Sequence, residues 1–286
     1  MGISRTQDAL LKGIRVARGA TLLTLALALG KWVIGRLSGS QAITADALHS
    51  AGDLVAIGSA WFGLSISRRP PSREFPYGFY KAETLASLAA SIAIIAAGAN
   101  LLVDGLKGLS IGAEIRLGYL AIVMTIISGF VSYLIARWEN RVGREINARS
   151  LVANADESRA DVISSAVVFL SVVATLLGIR YVDRIVAIGM SAFVIWLGIT
   201  NTKSAIFGLL DVTIEPEKEA SIRERVKSVP GVLDVGMMRI RAAGPFYFGE
   251  LHIKVRKSAD VMRAHEVATE VEEILAREFS EIEHVT

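Results

Sequence analysis

The chain has 286 residues, 52% of them hydrophobic, with a formal net charge of +3 and no cysteine. A soluble domain of this length would show more polar surface, and without thiols there is no disulfide or thiolate metal site, so any metal must be held by oxygen and imidazole. The basic excess sits in short loops between apolar runs, and no basic groove with interleaved aromatics appears, which leaves no nucleic acid among the expected partners.

Apolar runs long enough to cross about 30 Å of hydrocarbon appear near residues 17–37, 42–67, 82–107, 115–137, 151–178 and 182–203. The first is too long for a signal peptide and is interrupted by Lys31 and Trp32, so it reads as a retained helix. Arg5, Lys12, Arg15 and Arg18 precede the first run. Arg68, Arg69, Arg73 and Lys81 follow the second, and Arg137, Arg141, Arg144 and Arg149 follow the fourth. The opposite loops are poorer in basic residues, so six crossings place both termini in the cytoplasm of a multi-pass protein of the cell (plasma or inner) membrane, in contact with lipid.

Within the second run, His49 and Asp53 are four apart, which stacks them on one helix face, and Asp46 lies on the same side three residues earlier. The fifth run repeats the device with Glu157 and Asp161, preceded by Asn154. Four ligands from two facing helices close a tetrahedral site suited to Zn²⁺ and tolerated by Fe²⁺, Co²⁺ or Mn²⁺. A carboxylate as deep as Asp53 costs roughly 2.5–3.5 kcal/mol on insertion scales unless it is paired or wet. The bland alternatives are snorkelling, which suits Asp156 and Arg159, and an ion pair between helices with Arg159 as counter-charge.

Beyond residue 211 the chain becomes charged and periodic. Residues 217–228 fit an amphipathic helix, PGV at 230–232 a turn, VGMMRIRA and FYFGELHIKVR a hairpin, residues 259–278 a second helix and EIEHVT a last strand. The expected architecture is therefore a membrane all-α domain over 1–211 and a small α+β domain of order αββαβ over 212–286. At about 70 residues the latter is near the lower limit for a stable core, which favours pairing with a second copy.

HxxxD at His49 and Asp53, the acidic counterpart ending in DVISS, the run YGFYKAETLASL opening the third span, and GELHIKV with AHEVATEVEEIL near the end form a specific combination. Over nearly its whole length the chain resembles the cation diffusion facilitator family of divalent-metal/proton antiporters. The resemblance implies a six-helix transmembrane domain, a ferredoxin-like cytoplasmic C-terminal domain, a homodimer, and export of a divalent metal in exchange for protons. Metal and protons are then substrates, and no cofactor is implied.

On that resemblance His49, Asp53, Glu157 and Asp161 are the main intramembrane ligands, with Asp46 and Asn154 in support. Glu157 stands where many zinc-moving members have histidine, and one imidazole with three carboxylates is a harder set that raises Fe²⁺ or Mn²⁺ beside Zn²⁺. A family site between the second and third spans is expected to be absent, because its positions hold Ser72, Phe75 and Phe79. His252, His265 and His284 match cytoplasmic ligand positions, although Gly236 and Thr286 replace two others; the alternative is that they are surface or dimer-interface histidines. Lys81 and Asp211 match a charge interlock near the membrane surface, with snorkelling as the alternative for Lys81.

Metal binding to such a site requires deprotonation, so metal entry expels protons and protonation expels metal, with His49 and Glu157 as the expected carriers. A different class stays open, a non-transporting membrane metal sensor or scaffold whose C-terminal domain recruits partners. An enzyme is not expected, because HExxH is missing and no nucleophile stands beside a base.

Overall fold

The computed structural model describes residues 2–67, 72–75, 79, 81–146, 148–243, 246–279 and 282–285. Thr286 and parts of the YGFYKAETLASL run fall outside them. Six long helices come first: α1 (Gly2–Ser38), α2 (Gln41–Ser67), α3 (Ala82–Gly108), α4 (Gly118–Glu145), α5 (Arg149–Leu176) and α6 (Val182–Leu209). They are followed by α7 (Pro216–Lys227), β1 (Asp234–Ala243), β2 (Phe246–Lys254), α8 (Val261–Glu278) and β3 (Ile282–Val285).

Among the described residues, five helices are long and apolar enough to cross a membrane: α1 from Lys12 onward, α3, α4, α5 from Leu151 onward, and α6. The sequence leads one to expect six. The remaining helix, α2, has the length but carries Asp46, His49 and Asp53 among small residues, which dilutes its hydropathy. Large apolar side chains on these helices, such as Leu22, Phe130, Ile163 and Trp196, are more than half exposed. Outward-facing apolar surface of that extent suits lipid and not water.

The chain divides into two compact units, Met1–Ile57 with Ala90–Thr200, and Gly58–Ala89 with Asn201–Thr286. In the first, helices approach closely where glycine permits it. A Cβ on Gly35 of α1 would lie 2.6 Å from the Thr44 hydroxyl and 2.9 Å from its backbone nitrogen, and one on Gly143 of α4 would lie 3.1 Å from the backbone nitrogen of Val152 on α5. Ser128 and Ser165 hydrogen-bond between α4 and α5 at 3.0 Å. The start of α2 is held by fully buried Asp183 of α6, which accepts from the Ser40 hydroxyl (2.5 Å) and the Gln41 backbone N–H (2.9 Å). Ser40 in turn accepts from the Ile43 N–H at 3.2 Å. Orphan donors at a helix start are thus satisfied by an anion, which also complements the helix dipole.

In the second unit the order αββαβ is realised as a three-stranded sheet β1-β2-β3, with β1 and β2 antiparallel and β2 and β3 parallel. Its core joins Ile222 and Val226 of α7, Val235 and Ile240 of β1, Val271, Ile274 and Leu275 of α8, and Ile282 and Val285 of β3. Pro216 occupies the first turn of α7 with Glu217 and Glu219, and Arg225 and Lys227 occupy its last, each matching the dipole. Asp260 caps α8 by accepting from the Arg263 N–H at 2.7 Å.

Asp234 opens β1 and meets Lys254 at 3.0 Å and Lys227 at 3.3 Å. Hydrogen bonds from Lys254 and then Lys227 hold its carboxyl down at about 2. A carboxyl lowered on folding adds stability above its unfolded value and loses it as pH falls through the folded one. The difference in urea midpoint between the native chain and Asp234→Asn is therefore expected at about pH 5 and should vanish near about pH 2. An unchanged difference down to that pH would mean that the lysines do not act on Asp234.

Candidate metal centre

Helical spacing on α2 places His49 and Asp53 one turn apart, and α5 supplies Asp161. One ligand atom from each lies within 4.8 Å of the others, and among the described residues no further group of three His, Asp or Glu residues does so. His49 is 9% exposed. Its Nε2 is 3.7 Å from the Asp161 carboxylate, too far for a hydrogen bond but suitable for two groups sharing one cation. His49 Nδ1 and one Asp161 oxygen are buried with no hydrogen-bond partner. The unsatisfied Asp161 oxygen beside His49 Nε2 needs an explanation, and a shared ion supplies one. Phe193 of α6 packs edge-on against the imidazole, with centroids 5.4 Å apart.

Glu157 is on α5 one turn before Asp161, exposed and outside this close group. Asn154 lies a further turn away and is half-buried. Asp46 is engaged elsewhere: it pairs with Lys31 of α1 at 2.9 Å and accepts from the Ser164 hydroxyl at 2.5 Å. Arg159 binds Asp156 on its own helix at 2.5 Å, with both exposed, so it is not the counter-charge of the centre.

Two buried charges escape the sequence reading. Lys31, which looks like an interruption of an apolar run, is 2% exposed. Glu139 of α4, 3% exposed, accepts from Ser158 of α5 at 3.0 Å. An ionisable residue inside an apolar run was the available signal for Lys31, whereas Glu139 follows Arg137 and Trp138 and reads as the start of a loop.

The remaining expected positions lie in the second unit. Lys81 pairs with Asp211 at 2.8 Å and also donates to the Leu209 carbonyl at 3.2 Å. Asp211, in the left-handed region at φ 58°, further accepts from Arg241 of β1 at 2.9 Å. Burial alone would push its carboxyl up, but hydrogen bonds from Lys81 and Arg241 hold it below its ordinary value. Between α2 and α3, Ser72 caps a small turn by accepting from the Phe75 N–H, and the Phe75 and Phe79 rings lie 4.7 Å apart. His252 on β2 and His265 on α8 are exposed, and the backbone of His284 pairs with Phe248.

Comparison with known proteins matches residues 18–210 to the cation efflux transmembrane domain and residues 214–286 to the cation efflux protein cytoplasmic domain. The uncharacterized transporter YdbO of Bacillus subtilis (strain 168) is 32% identical, over 99% of this chain and 97% of its own. The magnetosome protein MamB of Paramagnetospirillum magneticum (strain ATCC 700264 / AMB-1) is 29% identical over 86% and 83%. The manganese efflux system protein MneS of Bacillus subtilis (strain 168) is 27% identical over 95% and 93%.

Proposed function

Because the chain belongs to the cation efflux, or cation diffusion facilitator, family of multi-pass membrane transporters, we propose that it exports a divalent transition-metal ion in exchange for protons through a centre built on His49, Asp53 and Asp161. The observation that supports this reading is the convergence of those three side chains from α2 and α5. In this reading α2 is the sixth crossing, both termini are cytoplasmic, the membrane domain ends at residue 211, and the domain over 212–286 joins two copies in a homodimer.

One imidazole and two carboxylates, with Glu157 as fourth ligand, form an oxygen-rich set that accepts Mn²⁺ and Fe²⁺ as well as Zn²⁺. The likeness to a manganese efflux protein adds weight to Mn²⁺. Ligands must lose protons to bind metal, so protons arriving from the far side displace it, and a proton gradient drives the ion outward. Metal at His252, His265 and His284 would be regulatory, and Asp46 and Asn154 would lie outside the direct ligands. Membership of a transporter family favours flux over a scaffold.

The test is uptake by purified protein in vesicles with an acidic lumen, one metal at a time. Zn²⁺, Fe²⁺ or Mn²⁺ should accumulate inside, and binding without accumulation would favour the scaffold. In the same assay Glu157→His should move preference toward Zn²⁺ by about tenfold, since imidazole is the softer donor. An unchanged metal profile would mean that Glu157 is not a ligand.

A further inference from the structure

We propose that the buried Lys31–Asp46 ion pair is a positioning element that limits the negative charge at the metal centre, cancelling the Asp46 carboxylate so that it adds nothing to the charge of the ligands. The inference rests on the transport reading above, since it concerns the same centre.

Both side chains are 2% exposed and 2.9 Å apart. The pair is tied to both ligand-bearing helices: Lys31 donates to Ser50, the residue after His49, at 3.1 Å, and Asp46 accepts from Ser164, three residues after Asp161. Asp46 is itself one helical turn before His49. A third helix thus delivers a cation beside the centre.

A buried ion pair is weak support for stability, because desolvation offsets most of the attraction. What it does alter is the local charge. With the pair intact, Asp46 and Lys31 add no net charge beside the ligands. Without Lys31 one further negative charge faces them, and without Asp46 one further positive charge. Lys31 also occupies Asp46 and so keeps a carboxylate one turn away from joining the ligands. An additional uncompensated carboxylate tightens a divalent ion and slows its release, whereas an uncompensated ammonium weakens its binding.

The two single variants are therefore expected to move metal affinity in opposite directions, which a merely structural role would not produce. Titration of Mn²⁺ and Zn²⁺ into purified full-length protein in detergent at a fixed, mildly alkaline pH should show Lys31→Met lowering Kd by about tenfold and Asp46→Asn raising it by about tenfold. In transport, Lys31→Met should lose kcat and Asp46→Asn should raise KM. Lys31→Arg, which keeps the charge, and the double variant Lys31→Met/Asp46→Asn should both return Kd to within about threefold of native.

Equal loss of affinity in both singles, or no change in either, overturns the proposal. If Lys31→Met does not assemble, Asp46→Asn still decides, because unchanged or tighter binding there is incompatible with it. Failure of the transport reading is recognised separately, as metal that binds the native protein but does not accumulate in vesicles.

Discussion

Replacing Asp53 by alanine should abolish metal accumulation in vesicles, lowering the rate by at least about a hundredfold, the upper end of what even an outer-shell change at a metal site costs. Asp53 sits on the same face as His49 and faces Asp161 across the helix pair, so alanine leaves one imidazole and one carboxylate where the close group had three donors. Asp46, one turn before His49, is already bound to Lys31, and Asp156 to Arg159. Asp161→Ala should be equally damaging, because it removes the contribution of α5. Transport at native rates in either variant would sink the assignment of the centre.

The second large effect is on stability. Asp183→Ala removes a buried carboxylate that receives the Ser40 hydroxyl and the Gln41 N–H, and leaves both donors without a partner in a site closed to water. Hydrogen bonds to a charged group contribute about 1.5–3 kcal/mol each, so the expected loss is about 3–6 kcal/mol. Asp183→Asn, which keeps an acceptor but no charge, should lose less. The measurement is the temperature at which the detergent-solubilised protein leaves its monodisperse peak on size-exclusion chromatography. Equal midpoints for native and Asp183→Ala protein would show that other contacts hold the start of α2.

Much of the architecture can be read from residues alone. Run length and apolarity locate the long helices, and alternation with turn residues locates β1 and β2, because each signal is local. The spacing of His49 with Asp53 likewise points to one face of α2. Spacing does not reveal which charges partner which across helices. Asp46 reads as a support to the ligands on the His49 face, yet its partner is a lysine fifteen residues earlier on another helix. Asp183 reads as an ordinary residue opening a span, and its grip on α2 depends on a meeting 142 residues apart in sequence. Glu157 shares the Asp161 face of α5 but is exposed and outside the close group, which its spacing does not reveal. Such pairings are set by tertiary packing, to which a one-dimensional pattern is blind.

Asp211 joins three segments through one carboxylate: it holds Lys81 ahead of α3 and Arg241 on β1, and it follows directly on the end of α6. The left-handed backbone at this residue turns the chain sharply there. The link between β1 and the segments that end α6 and precede α3 therefore passes through ion pairs at a single carboxylate. Because both contacts are made by a half-exposed carboxylate, they are sensitive to ionic strength in a way the buried Lys31–Asp46 pair is not. Added salt should accordingly loosen the Asp211 junction while leaving the Lys31–Asp46 pair intact.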